Sequence, residues 1–190
     1  MSSEQHAIQR NVMRNVAVVT SIMVAVGTAG YAWLPSKWLP IMTSPAEQIV
    51  FTIRCNVPTV GFFLILISHI GNTRFTSAQA NPLEEKDKDK VEVHVRVLQN
   101  TLEQFVISFV LQLATATWIN SSQMMIIPII AMLFVVGRVL FWIGYLDPSF
   151  GRTNRSYGLP LTQFPSVFMF IFCLYKLVYS LLWLDVFWIS

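Results

Sequence analysis

Arg96, Asn100 and Glu103 lie at i, i+4 and i+7 at the head of a long apolar run. At 3.6 residues per turn this spacing stacks a guanidinium, an amide and a carboxylate on one helix face. The residues beyond them, Phe105 to Trp118, are membrane-like. A charged side chain at the centre of a bilayer helix costs about 2.5–3.5 kcal/mol on insertion scales, and less near an end. Two opposite charges and an amide on one stripe therefore point to a buried polar site or to a packing lock between helices. A further apolar run carries Arg138 and Tyr145, again seven apart and on one face, and the polar loop after it supplies Arg152 and Arg155. Guanidinium forks match carboxylates bidentately, and Glu103 with Asn100 can take an ammonium or an amide. A small zwitterionic peptide with two carboxylates suits this set, which also includes Gln104. An arginine beside a bound thiol would favour the thiolate, activating a nucleophile that the protein does not itself provide. The mechanical alternative is that Asn100 relays between Arg96 and Glu103, Arg138 pairs with Glu103, and the polar groups join helices.

The rest of the sequence says where such residues must sit. Of 190 residues, 54% are hydrophobic and 12% charged, and the mean hydropathy is +0.56. Soluble domains carry roughly a quarter charged residues, so this chain cannot coat a globule in water. The composition predicts an all-α integral membrane bundle in contact with the lipid bilayer. A net charge of only +3, with the basic residues gathered in particular loops, argues against nucleic acid as a partner. Cys55 and Cys173 both fall in apolar runs and read as small hydrophobes, with no disulfide expected. His6, His69 and His94 are scattered, no two at ligand spacing, and no metal site is expected.

Five apolar segments follow, each near the roughly 20 residues that span a bilayer: about Asn15–Leu34, Ile49–Gly71, Val97–Ile119, Met124–Leu146 and Leu161–Leu184. Helices are required, because unpaired backbone groups are too costly in lipid. The first segment closes with Tyr31, Trp33 and Pro35, which reads as a span rather than a cleaved leader. Trp33 and Trp38 flank an interfacial turn, and Asn120–Gln123 reads as a tight connection between antiparallel helices. Residues 72–95, centred on alternating charges at Glu84–Lys90, read as a solvated loop plus the first turn of the third helix. Arg10, Arg14, Arg74, Lys86, Lys88, Lys90, Arg152 and Arg155 all fall on one side of a five-helix arrangement, whereas the opposite loops hold only Lys37. The positive-inside rule makes that side, and the N-terminus, cytoplasmic. The sequons at Asn120 and Asn154 are then poorly placed for glycosylation, one hugging the membrane and the other cytoplasmic.

The run Arg96-x-x-x-Asn100-x-x-Glu103 resembles the signature of the MAPEG family, the membrane-associated proteins in eicosanoid and glutathione metabolism. So does Arg138 followed by Gly144-Tyr145 and then by Arg152 beyond the helix. The resemblance covers about residues 49–184. It implies a four-helix membrane domain at 49–190, preceded at 1–48 by a cytoplasmic N-terminus, an extra helix and a lumenal turn. It further implies a homotrimer that binds glutathione as co-substrate between subunits and transfers it to, or uses it to reduce, a lipophilic small molecule. Carried onto this chain, Arg96, Asn100, Glu103, Arg138 and Tyr145 hold glutathione, and Arg152 stabilises its thiolate, with Arg155 as substitute. The location implied is an endomembrane, the endoplasmic reticulum in the first instance. Two departures stand out: enzymes of the family often carry tyrosine where this chain has Gln104 and Phe141. The leading helix, Ile53-Arg54-Cys55 and Val91–His94 are more similar to the mattrin-like branch, which implies a non-enzymatic protein of Golgi or lysosomal membranes acting in trafficking or signalling through protein partners.

Overall fold

The computed structural model describes residues 3–33, 39–76, 88–146 and 156–182, and every regular element among them is helical. In chain order these are α1 (Ser3–Trp33), α2 (Pro45–Cys55), α3 (Val57–Thr76), α4 (Lys88–Trp118), α5 (Ile126–Leu146) and α6 (Leu159–Leu182). Helix α4 is the axis of the bundle and packs on α2, α3, α5 and α6, while α1 lies outside against α5 and α6. Four stretches are long and apolar enough to cross a membrane: α1, α2 with α3, α5 with its preceding turn, and α6. Helix α4 has the length but carries the charged head described above. Where it packs on α2, α3, α5 and α6 it buries Thr101, Ser108, Gln112 and Thr115. The outer helices are patterned the other way, with Leu64, Ile65 and Ile67 of α3 and Phe168, Phe170 and Ile171 of α6 turned outward. Apolar side chains facing out and polar ones facing in are what a lipid solvent selects.

The helix ends follow from local chemistry. Ser44 caps α2, its Oγ accepting from the Glu47 amide at 3.4 Å, and Pro45 occupies the first turn, where its missing N–H costs nothing. The Glu47 carboxylate returns to accept from the Thr43 amide. The sequence suggests one rod over 49–71; the structure breaks it at Asn56. Pro58 cannot donate to the Arg54 carbonyl, and its ring crowds that group. Asn56 accommodates the break. Its backbone N–H donates to Ile53 O at 3.1 Å, and its side-chain Nδ2 donates both to Thr52 O and to Gln112 Oε1 of α4, each at 2.9 Å. Gln112 passes the chain on, donating to Ser108 Oγ at 3.1 Å. Removing the Asn56 amide leaves the buried Gln112 oxygen without its donor, a loss of about 1–3 kcal/mol. Asn56→Leu is therefore expected to lower the unfolding midpoint in detergent micelles, and an unchanged midpoint would show that the break is held by Pro58 alone.

The connection at residues 120–123 is tight, as the sequence suggests. Ser121–Gln123 form one 3-10 turn, in which the Asn120 amide donates to Gln123 Oε1 at 3.1 Å. Two boundaries lie earlier than hydropathy indicates: α1 starts at Ser3 and α4 at Lys88, because polar turns outside the apolar run remain helical. Cys55 and Cys173 are both free thiols, half-buried, with Cys173 Sγ 3.4 Å from Thr115 Oγ1.

A backbone-to-backbone contact fixes where α6 begins. Gly158 sits against α5 so tightly that a Cβ there would come 2.2 Å from Gly137 O and 2.5 Å from the Phe141 amide nitrogen. Backbone meets backbone, and this brings Thr162 alongside Arg138.

Candidate functional site

Arg138 is the largest fully buried side chain of the bundle. It projects from α5 towards α4 and α6. Its Nη1 donates to Asn100 Oδ1 at 2.9 Å, and its Nη2 donates to Thr162 Oγ1. The guanidinium carbon lies 4.8 Å from the ring centroid of Phe141 and 5.6 Å from that of Phe134, within cation–π range. Nε has no hydrogen-bond partner, and among the described residues no carboxylate pairs with the cation. Thr162 in turn donates to Leu159 O at 3.1 Å, so the first turn of α6 buttresses the arginine. Arg138 thus sets the amide plane of Asn100: the oxygen is held inward, and the amide N–H groups are left to face the other side.

Arg96, Asn100 and Glu103 share one face of α4, as their spacing requires, but that face is open rather than enclosed. Arg96 and Glu103 are exposed and Asn100 is half-buried. Glu103 accepts from Gln99 Nε2 at 3.2 Å and does not pair with Arg138. Arg96 bonds Glu92 one turn earlier, at 2.6 Å through Nη2 and 3.1 Å through Nε. It also reaches the Tyr145 phenol, and these two contacts, Glu92 first, raise its pKa above the ordinary guanidinium value. The two predicted clusters therefore meet twice across the α4–α5 seam, Arg96 with Tyr145 and Asn100 with Arg138. Gln104 is half-buried beside Glu103, and Phe141 is buried over the guanidinium of Arg138. Arg152 and Arg155 lie outside the described residues.

The same end of the bundle holds a group that the sequence reading scattered. His69 of α3 and His94 of α4 stack edge to face with ring centroids 4.5 Å apart, and Trp142 of α5 packs against both. Trp142 Nε1 donates to His94 Nδ1 at 3.1 Å, which leaves the proton of a neutral His94 on Nε2. Burial, and then the neighbouring His69, lower the His94 pKa. The residues are 25 apart in sequence with a charged loop between them, so only the antiparallel return of α4 along α3 could have paired them. Among the described residues there is no group of three or more ligating side chains that could hold a metal. Thr162, Glu92 and Trp142 are further neighbours of the site that the sequence does not single out; the spacing of Arg96 and Glu92 at i, i−4 is the one available signal.

These contacts place the helix ends flanking both polar loops at one end of the bundle. The N-terminal half of α1 joins them, because the buried Asn15 side chain donates to Ser156 Oγ at 3.3 Å, just before α6. An arrangement of this kind can bind an anion or zwitterion from the membrane surface, with one amide oriented by a buried cation and a carboxylate and a guanidinium on the rim. Residues 55–175 match the family model of the MAPEG family. No curated protein and no solved structure matches the chain.

Proposed function

Since the chain belongs to the MAPEG family, we propose that it is a membrane transferase or peroxidase that uses glutathione against a lipophilic electrophile. The observation that carries this reading is the α4–α5 seam, where Arg138 locks Asn100 and Arg96 meets Tyr145. Glu103 takes the glutathione ammonium, the Asn100 amide takes a carbonyl or carboxylate oxygen, and Arg96 takes a carboxylate in competition with Glu92. Arg138 acts as a positioning residue behind Asn100, since it is fully buried. Arg152 supplies the cation that favours the thiolate. The stripe is open on a single chain, which suits completion by a neighbouring subunit in a homotrimer. Glutathione enters from the cytoplasmic side, where the N-terminus also lies, and the bilayer of the endoplasmic reticulum or a related endomembrane delivers the electrophile laterally.

A second reading is favoured by two observations. Glu92 already neutralises Arg96, and the position over Arg138 that could offer a phenol offers only the Phe141 ring. On that reading the protein keeps the scaffold without catalysis, as in the mattrin-like branch, and acts through protein partners in the Golgi or lysosome. The two diverge in the bound thiol. An enzyme ionises glutathione at neutral pH, so the ultraviolet thiolate absorbance rises on binding and disappears in Arg152→Ala. Binding without a thiolate signal supports the scaffold, and an absence of binding removes the enzyme reading.

A further inference from the structure

A cavity of about 660 Å³ lies between α1 and the bundle. Its walls include Gly27 and Tyr31 from α1, Ile130 and Leu133 from α5, and Phe168 and Phe172 from α6, with Thr115 and Ile119 of α4 at the back. Met23 to Tyr31 gives it a length of about 12 Å along α1 at 1.5 Å per residue. Its inner end at Leu133 and Pro165 stops about 5–8 Å short of Arg138 and Thr162 by the same rise. The volume falls within the range of small-molecule sites, roughly 300–1,000 Å³. Water finds little to bond in the deeper part, where Thr115 is engaged with Cys173.

The polarity of the lining is directional. Tyr31, Thr28 and Gln123 lie at the end marked by the close of α1 and the 120–123 turn, while the deeper part is hydrocarbon and aromatic. Gln123 commits its oxygen to the Asn120 amide, leaving its N–H groups as donors, and Thr28 retains acceptor lone pairs. None of the lining side chains carries a charge. A carboxylate or phosphate seated there would be desolvated with no counter-ion, a large penalty. The space beside Gly27 is open, since a Cβ at this position would meet nothing within 4 Å.

We propose that this groove binds one neutral lipid, an apolar body with a single uncharged hydroxyl head placed among Tyr31, Thr28 and Gln123. A sterol has that chemistry, one hydroxyl on a rigid hydrocarbon body, whereas a monoacylglycerol carries two hydroxyls and an ester. The inference is independent of the glutathione reading, because no residue of the α4–α5 seam lines the groove.

The test uses the full chain in phosphatidylcholine nanodiscs with two photoreactive probes, a diazirine sterol and a diazirine monoacylglycerol, and maps the adducts by mass spectrometry. Adducts are expected on α1 between Met23 and Tyr31 and on the facing parts of α5 and α6. Excess unlabelled sterol should suppress the sterol adducts, and equal or stronger suppression by monoacylglycerol would overturn the assignment. Gly27→Trp fills the groove from a position with free space and should cut this labelling about tenfold while leaving glutathione binding as in the parent. Ile126→Trp, at the half-exposed mouth, provides the same block if the first variant fails to fold. Labelling that is indifferent to both plugs, that spreads evenly over the lipid-facing side of α3, or that phosphatidylcholine suppresses equally well would identify ordinary boundary lipid and overturn the proposal.

Discussion

Arg138→Ala is expected to be the most damaging single substitution in the bundle. It empties the volume between Phe134 and Phe141 and leaves Asn100 Oδ1 and Thr162 Oγ1 without their donor. Large-to-small changes in packed interiors cost about 2–5 kcal/mol, and unpairing buried groups adds about 1–3 kcal/mol. The combined loss, about 4 kcal/mol or more, should appear as a marked fall in the unfolding midpoint in micelles. Arg138→Met separates packing from polarity. Methionine restores much of the volume, and replacing a buried charge by a hydrophobe of similar size is often neutral or stabilising. It should therefore recover most of the midpoint while failing to restore the orientation of Asn100, so that any ligand read by that amide is lost in both variants. A parent-like midpoint for the alanine variant would show that the α4–α5–α6 junction does not depend on this side chain.

Gly158→Ala is the second large effect. The added methyl would meet the carbonyl oxygen of Gly137 and the amide nitrogen of Phe141 at distances that real Cβ atoms do not adopt. Neither neighbour can rotate away, so either α6 or α5 must shift. Overpacking a tight interior costs about 1–3 kcal/mol, and a backbone–backbone contact belongs at the upper end. The shift would also draw Thr162 away from Arg138. Gly61→Ala is the matched control, since a Cβ there meets nothing within 4 Å and lies inside α3. It should be neutral or stabilising by up to about 1 kcal/mol. Equal unfolding midpoints for the two variants would contradict the close packing at Gly158.

Where the helices lie was largely legible, because a bilayer imposes length and apolarity on any crossing segment. The polar stripe on α4 was legible for the same reason, as an expensive exception to that rule. What the sequence did not deliver were partners. The spacing of Arg96, Asn100 and Glu103 fixes their shared face but not its exposure, and Asn100 turns inward while its two companions stay open. Arg138 and Glu103 looked like natural partners by charge. Packing instead gives Arg138 the Asn100 amide of α4 and, through the close Gly137–Gly158 contact, the Thr162 hydroxyl of α6, while Glu103 stays exposed. The break at Asn56 was written plainly in Pro58, though hydropathy averaging over 49–71 conceals it. The pairing of His69 with His94 needed the return path of α4 along α3, which no local pattern encodes.

We propose that the rim of α4 recognises glutathione. Isothermal titration of glutathione into the parent protein and into Glu103→Gln, both in micelles, tests this recognition. Glu103 is exposed and accepts from Gln99 Nε2 on its own helix at 3.2 Å, so the substitution should leave the fold intact. A hydrogen bond to a charged group contributes about 1.5–3 kcal/mol, so saturable binding by the parent should weaken roughly ten- to a hundredfold in the variant. Equal affinities, or no saturable heat from the parent, would contradict the claim.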